Sequence, residues 1–182
     1  MLATPAAFVP LVSQRSASQT YLFVFRGGEL LVRESDLELP DESAGLALGI
    51  RLADALPVGM LGPRYCCTAR IERETAPPAG LAFKNLRALF GVLDEELLGV
   101  AGRAFQVAEW ARTHRYCGVC GTPTFAVTGE RCFKCPACGH VAYPRISPAM
   151  MVLIKRDNAI LLARHLHSPT NRFTALAGFV EP

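Results

Sequence analysis

Two short turns in the second half of the chain restrict its fold more than any other feature. They are Cys117-Gly118-Val119-Cys120-Gly121 and Cys135-Pro136-Ala137-Cys138-Gly139. Each is a C-x-x-C followed at once by glycine. A tight turn of this kind aims two thiolates and its own N–H groups at one cation, and glycine after the second cysteine tolerates the positive φ the turn needs. Two such turns, fourteen residues apart, place Cys117, Cys120, Cys135 and Cys138 tetrahedrally around Zn2+. The competing reading is a set of buried or disulfide-bonded cysteines.

The chain has seven cysteines, and the other three need separate accounts. Cys132 also forms a C-x-x-C with Cys135, but proline follows that pair, and proline offers no N–H to a sulfur and fixes φ negative. Cys132 is therefore a spare thiol near the metal. Cys66 and Cys67 are adjacent in a stretch that reads as a strand, which points their thiols to opposite faces as small apolar residues. An odd cysteine count with clustered C-x-x-C pairs argues for a reducing compartment rather than a secreted disulfide scaffold. The start, Met1-Leu2-Ala3-Thr4-Pro5, lacks a basic leader, and no run of eighteen apolar residues occurs. The expectation is a cytoplasmic protein without a membrane partner.

The 182 residues leave room for one ordinary domain and a smaller one, and the hydrophobic content of 51% suffices for a core. A formal charge of +3 does not suit a dedicated nucleic-acid binder. Tyr21 to Phe25 reads as a strand, Gly27-Gly28 as a turn and Glu29 to Arg33 as its return. Arg64 to Glu72 is a further strand. From about Phe83 to Thr113 the pattern is helical, with Asp94-Glu95-Glu96 as an acidic helix start and Leu97, Ala101, Phe105 and Ala108 at helical spacing. Trp110 packs at the end of that helix. Residues 114–144 form a module too small to fold without metal. Beyond Pro144, residues 149–155 read as a buried strand, Asp157-Asn158 as a turn and Ala159 to Arg164 as the return. A polar loop follows over His165 to Thr170, and the chain ends in Phe173 to Pro182. A hairpin with no helix to cover it suggests part of a longer protein.

The four-cysteine ribbon, then Tyr143-Pro144-Arg145-Ile146-Ser147-Pro148, a hairpin and Leu176-Ala177-Gly178-Phe179-Val180-Glu181 together resemble the NADH pyrophosphatases, the NudC-type Nudix hydrolases. Gly102-Arg103-Ala104 and Tyr116-Cys117-Gly118 share the likeness. The resemblance implies an α+β chain: an N-terminal α/β domain at 1–113, a zinc ribbon at 114–144, and an incomplete mixed-sheet α/β/α Nudix domain from 145 to 182. It implies metal-dependent hydrolysis of the NADH or NAD pyrophosphate to nicotinamide mononucleotide and AMP, with removal of NAD caps from RNA 5′ ends as a second activity.

The Nudix box runs G-x5-E-x7-R-E-U-x-E-E-x-G-U, U being a bulky aliphatic residue. Gly178 matches its first glycine, and its first glutamate would fall two residues past Pro182. Such glutamates, at i and i+4 on one helix face, hold Mg2+ or Mn2+ on the pyrophosphate oxygens. Asp94, Glu95 and Glu96 are consecutive and diverge around a helix. These 182 residues are therefore expected not to hydrolyse NADH.

By similarity, Ala177 offers its backbone carbonyl to the catalytic divalent ion, and Phe179 stacks on the nicotinamide ring. Tyr143 adds a second aromatic contact from the partner subunit of a homodimer. Glu130 contacts the substrate, and Arg87 binds it from the N-terminal domain. Without the resemblance, Phe179 reads equally as a core strand residue, Tyr143 as packing on the ribbon and Glu130 as a solvated charge. His114, His140, His165 and His167 are not needed as ligands. The alternative function is a zinc-ribbon module binding nucleic acid or a protein partner, with Arg115, Arg131, Lys134, His140 and Arg145 meeting phosphates.

Overall fold

A computed structural model describes residues 4–11, 13, 17–167 and 170–181. The chain divides into two compact units, residues 1–144 and 145–182. Residues 168, 169 and 182, in the expected polar loop and at the C-terminal end, lie outside the described residues.

In the first unit, β1 (Phe8–Pro10), β2 (Thr20–Arg26), β3 (Glu29–Arg33), β4 (Leu56–Leu61), β5 (Arg64–Ile71) and β6 (Leu81–Asn85) form one sheet. Their order is β1-β4-β5-β2-β3-β6. Only β2 and β5 run parallel; the other neighbours are antiparallel. The aromatic run in β2 makes it a central strand buried on both faces. Phe23 and Phe25 pack on one side with Leu98, Ala101 and Ala104 of the helix α2 (Glu95–Thr113). Leu22 and Val24 pack on the other with Ala44 of α1 (Glu42–Ala47). Cys66 joins the first cluster and Cys67 the second, as strand alternation requires. Burial pushes both thiols up to about 12, so they are inert apolar residues.

The expected helix from Phe83 is shorter than its periodicity indicates. Leu81–Asn85 is instead the edge strand β6, paired with β3 from Arg33↔Leu81 to Glu29↔Asn85. A 3-10 turn over Leu86–Leu89 and the left-handed Gly91 (φ 76°) follow before α2 starts. Pairing with an open sheet edge outweighs helical spacing here. The Asp94 carboxylate then accepts the Glu96 and Leu97 N–H groups, each at 3.0 Å, and sets the first turn of α2.

Strand β4 carries a bulge: Pro57 faces Cys67 and Gly59 faces Cys66, leaving Val58 as the extra residue. At Gly59 a Cβ would lie 2.5 Å from the Val9 carbonyl oxygen and 2.4 Å from the Phe8 ring. Backbone and a packed ring cannot both retreat. Gly59→Ala is expected to lower stability by about 1–3 kcal/mol, read as a shift of the denaturation midpoint.

In the second unit, β10 (Ala149–Val152) pairs antiparallel with β13 (Leu176–Phe179), and β11 (Lys155–Arg156) with β12 (Ala159–Ile160). The apolar run expected to be one strand thus serves two partners, changing over at Leu153 and Ile154. The turn falls at Asp157 (φ 53°), as expected for Asp-Asn.

Candidate metal centre and substrate-facing residues

The two knuckles are built alike. Cys117 N–H donates to the Thr122 carbonyl at 2.8 Å, and Cys135 N–H to the His140 carbonyl at 2.9 Å. Gly121 N–H closes on the Cys117 carbonyl and Gly139 N–H on that of Cys135. Both glycines have φ 75°, the conformation that only glycine adopts without strain. The Val119 N–H lies 3.4 Å from the Cys117 sulfur.

These turns bring four sulfurs within 4.8 Å of one another. The separations are 3.6 Å for Cys117–Cys138, 3.5 Å for Cys120–Cys135 and 3.7 Å for Cys120–Cys138. A tetrahedral ion with Zn–S bonds of roughly 2.3 Å places its sulfurs about 3.8 Å apart, so the donor set fits zinc in both chemistry and spacing. Hydrogen bonding with Thr122 holds the Cys120 thiol down at about 6, favouring the thiolate a metal needs. Four sulfurs close the shell and leave no open position, which makes this a structural centre. His140 is exposed, and the His114 ring bonds the Trp110 carbonyl at 2.8 Å, so neither belongs to it. His165 and His167 are exposed in the second unit.

The ribbon sheet consists of β7 (Phe125–Ala126), β8 (Phe133–Lys134) and β9 (Val141–Ala142). Two contacts tie it to the six-stranded domain. Phe133 stacks on Trp110 of α2 with ring centroids 4.7 Å apart. Arg131 reaches back to the β4 bulge, where Nη1 donates to the Pro57 carbonyl at 2.6 Å. Its Nη2 donates to the carbonyls of Val58, at 3.3 Å, and Leu11. Burial, with Arg103 nearby, draws the guanidinium below its ordinary value. Arg131 was a candidate phosphate contact on the sequence; it is instead an internal clamp. Its partners lie 73 to 120 residues away, so no local pattern announces it.

Of the candidate substrate residues, Glu130 and Tyr143 meet: the Tyr143 hydroxyl donates to Glu130 Oε2 at 2.9 Å. Tyr143 is 56% exposed. The Cys132 thiol, itself buried, donates to the same Oε2 at 3.6 Å. Arg87 sits exposed on the 3-10 turn, its N–H donating to Asn85 Oδ1 at 2.9 Å. In the second unit, Ala177 and Phe179 lie on β13 opposite Met151 and Ala149. Phe179 is 74% exposed.

Comparison with known proteins places this geometry in a family. Residues 19–110 match the model of the NADH pyrophosphatase-like rudimentary NUDIX domain, and residues 112–143 that of the NADH pyrophosphatase zinc ribbon domain. A protein of Deinococcus radiodurans named NAD-capped RNA hydrolase NudC is 40% identical over 98% of this chain and 62% of its own length. A protein of that name from Pseudomonas fluorescens is 50% identical over 57% of this chain and 37% of its own. The chain belongs to the NADH pyrophosphatase family of Nudix hydrolases. It spans about three fifths of the Deinococcus relative. That the six-stranded domain is itself a rudimentary Nudix fold is a feature the sequence reading missed: without the glutamate box, its strands carry no distinguishing signature.

Proposed function

We propose that this chain serves a hydrolase that cleaves the pyrophosphate of NADH or NAD to nicotinamide mononucleotide and AMP and removes NAD caps from RNA. Residues 1–113 and 114–144 supply the scaffold and zinc ribbon, and 145–182 begin the Nudix domain. Tyr143 and Phe179 offer aromatic faces to the nicotinamide ring, Glu130 and Arg87 complete the contacts, and the Ala177 carbonyl is one ligand for Mg2+ or Mn2+. The working protein is a cytoplasmic homodimer. Bound there, the divalent ion would neutralise charge on the pyrophosphate oxygens. No helix among the described residues holds glutamates four apart, so the 182 residues bind without cleaving.

One observation carries this reading: in a ribbon of this family, Tyr143 stands with its ring open to solvent and its hydroxyl anchored. A flat cofactor ring stacks on such a surface. In filter binding, the 182-residue chain is expected to retain NAD-capped RNA over the same RNA with a 5′-triphosphate, and free NADH should compete. Equal retention of both RNAs, untouched by NADH and falling steeply with salt, would favour the nucleic-acid ribbon instead.

A further inference from the structure

A cleft of about 1000 Å3 opens in the first unit along the end of β5, the last turns of α2 and the entry to the ribbon. That volume is at the upper end of the range for small-molecule sites, about 300–1,000 Å3. Tyr143, Glu130, Phe179, Arg87 and Ala177 are not among its lining residues. Four arginines are: Arg70 on β5, Arg73 just beyond that strand, Arg112 near the end of α2 and Arg115 at the ribbon entry.

The charges around Arg70 do not cancel. Both oxygens of Glu109 are taken by Arg112, whose Nε donates to Oε1 and Oε2 at 3.2 and 3.0 Å and whose Nη2 donates to Oε1 at 2.5 Å. Arg70 Nη1 lies 2.8 Å from Glu109 Oε2 and is sealed from solvent, yet it makes no aligned hydrogen bond among the described residues. The Phe105 ring centroid is 6.0 Å from the same guanidinium. Burial draws Arg70 below its ordinary value; Glu109 opposes that, while Arg112 and Arg73 add to it. Three guanidiniums thus share one carboxylate. Asp54, Glu72 and Glu74 also line the cleft, but Asp54 is paired with Arg51 at 2.7 Å, and neither Glu72 nor Glu74 is among the charges acting on Arg70.

We propose that this cleft binds a nucleoside monophosphate, its terminal phosphate on Arg70, Arg73 and Arg112 and its base against Tyr116. Guanidiniums that share one carboxylate keep charge and N–H donors for a second anion, and a phosphate dianion matches that surplus. Arg70 keeps only 18% of its side chain exposed. A phosphoryl group at the end of a ligand reaches a charge so recessed; a phosphodiester, flanked on both sides, is held off by the walls. Tyr116 lines the same cleft and is 62% exposed, which leaves its ring accessible to a flat base. The site shares no residue with the candidate nicotinamide contacts, so it stands apart from the function proposed above.

The test is calorimetric titration of the zinc-loaded chain with AMP, with inorganic phosphate and adenosine as the two halves of the ligand. AMP is expected to bind, phosphate more weakly, and adenosine not measurably. Arg70→Met should weaken AMP about tenfold or more, and Arg73→Gln, at an exposed position, about threefold. Glu109→Gln should tighten AMP about threefold, because the carboxylate that competes with the phosphate is gone. A purely structural Glu109 would give the opposite sign. An RNA oligonucleotide with a 5′-hydroxyl, which carries only diesters, should not displace AMP, and Tyr143→Ala should leave AMP binding unchanged. No binding of AMP, binding of either half as tight as that of AMP, displacement by the 5′-hydroxyl RNA, or weaker binding by Glu109→Gln would each overturn the proposal. So would loss of AMP in Tyr143→Ala with Arg70→Met unaffected, which would put the nucleotide in the candidate substrate site instead. If Arg70→Met does not fold, Arg73→Gln and Glu109→Gln carry the test, and AMP affinity unchanged in both would overturn the proposal.

Discussion

Stripping zinc from this chain is expected to unfold the ribbon while leaving the six-stranded sheet in place. The ribbon strands are two residues each, and Phe125 and Val141 are exposed, so little apolar burial holds them. Structural zinc contributes about 10–16 kcal/mol in small modules of this kind, more than such a segment gains from packing. Trp110 is the only tryptophan in the chain and stacks on Phe133, so it reports the change directly. Chelation should shift its emission to the red as the ring contact is lost, and far-ultraviolet circular dichroism should keep most of the strand and α2 signal. Metal analysis should find one zinc per chain. Cys138→Ser should lose it, and Cys132→Ser should retain it. Because the ligands bind as thiolates, affinity should fall as pH falls and protons compete for sulfur. An unchanged tryptophan spectrum after complete chelation would remove zinc from the account of the fold.

The second large effect is expected at Arg131. Its guanidinium has no carboxylate partner among the described residues; it lies against the carbonyls of Pro57, Val58 and Leu11. Val58 is the extra residue of the β4 bulge and is fully buried, and its carbonyl also accepts the Leu11 N–H at 3.2 Å. Arg131→Met keeps much of the side-chain bulk but removes every donor. Hydrogen bonds from charged donors contribute about 1.5–3 kcal/mol each, and carbonyls left unpaired add a penalty. A loss of about 3–5 kcal/mol is expected. Amide exchange should localise it to β4 and the Leu11 segment, with zinc still bound. If Arg131→Met proves as stable as the parent, the guanidinium is not a clamp and returns to the list of phosphate contacts.

The two cases differ in what the sequence could disclose. The zinc centre is local: cysteine spacing and the glycine after each pair encode a turn, and the turn determines where the sulfurs go. The alternation that sends Cys66 and Cys67 into separate clusters is local too, because strand geometry has a period of two. The clamp is not local. Arg131, beside Glu130 in a ribbon loop, is indistinguishable in sequence from a solvated charge until the distant bulge is in place. The same holds for β6, where helical spacing from Phe83 yields to an open edge on β3. Glu130 and Tyr143 were paired with function only through family likeness; their hydrogen bond spans 13 residues and needs the ribbon folded. With Arg131 turned inward, the exposed members left of that basic set are Arg115, Lys134, His140 and Arg145.

The most direct check on the central claim is to incubate the zinc-loaded 182-residue chain with NADH and Mn2+, follow binding by nicotinamide fluorescence and assay for AMP. Saturable binding that Tyr143→Ala abolishes, with AMP no higher than in a metal-free blank, is the expected result. AMP released well above that blank would show that these residues carry their own catalytic carboxylates and would contradict the account.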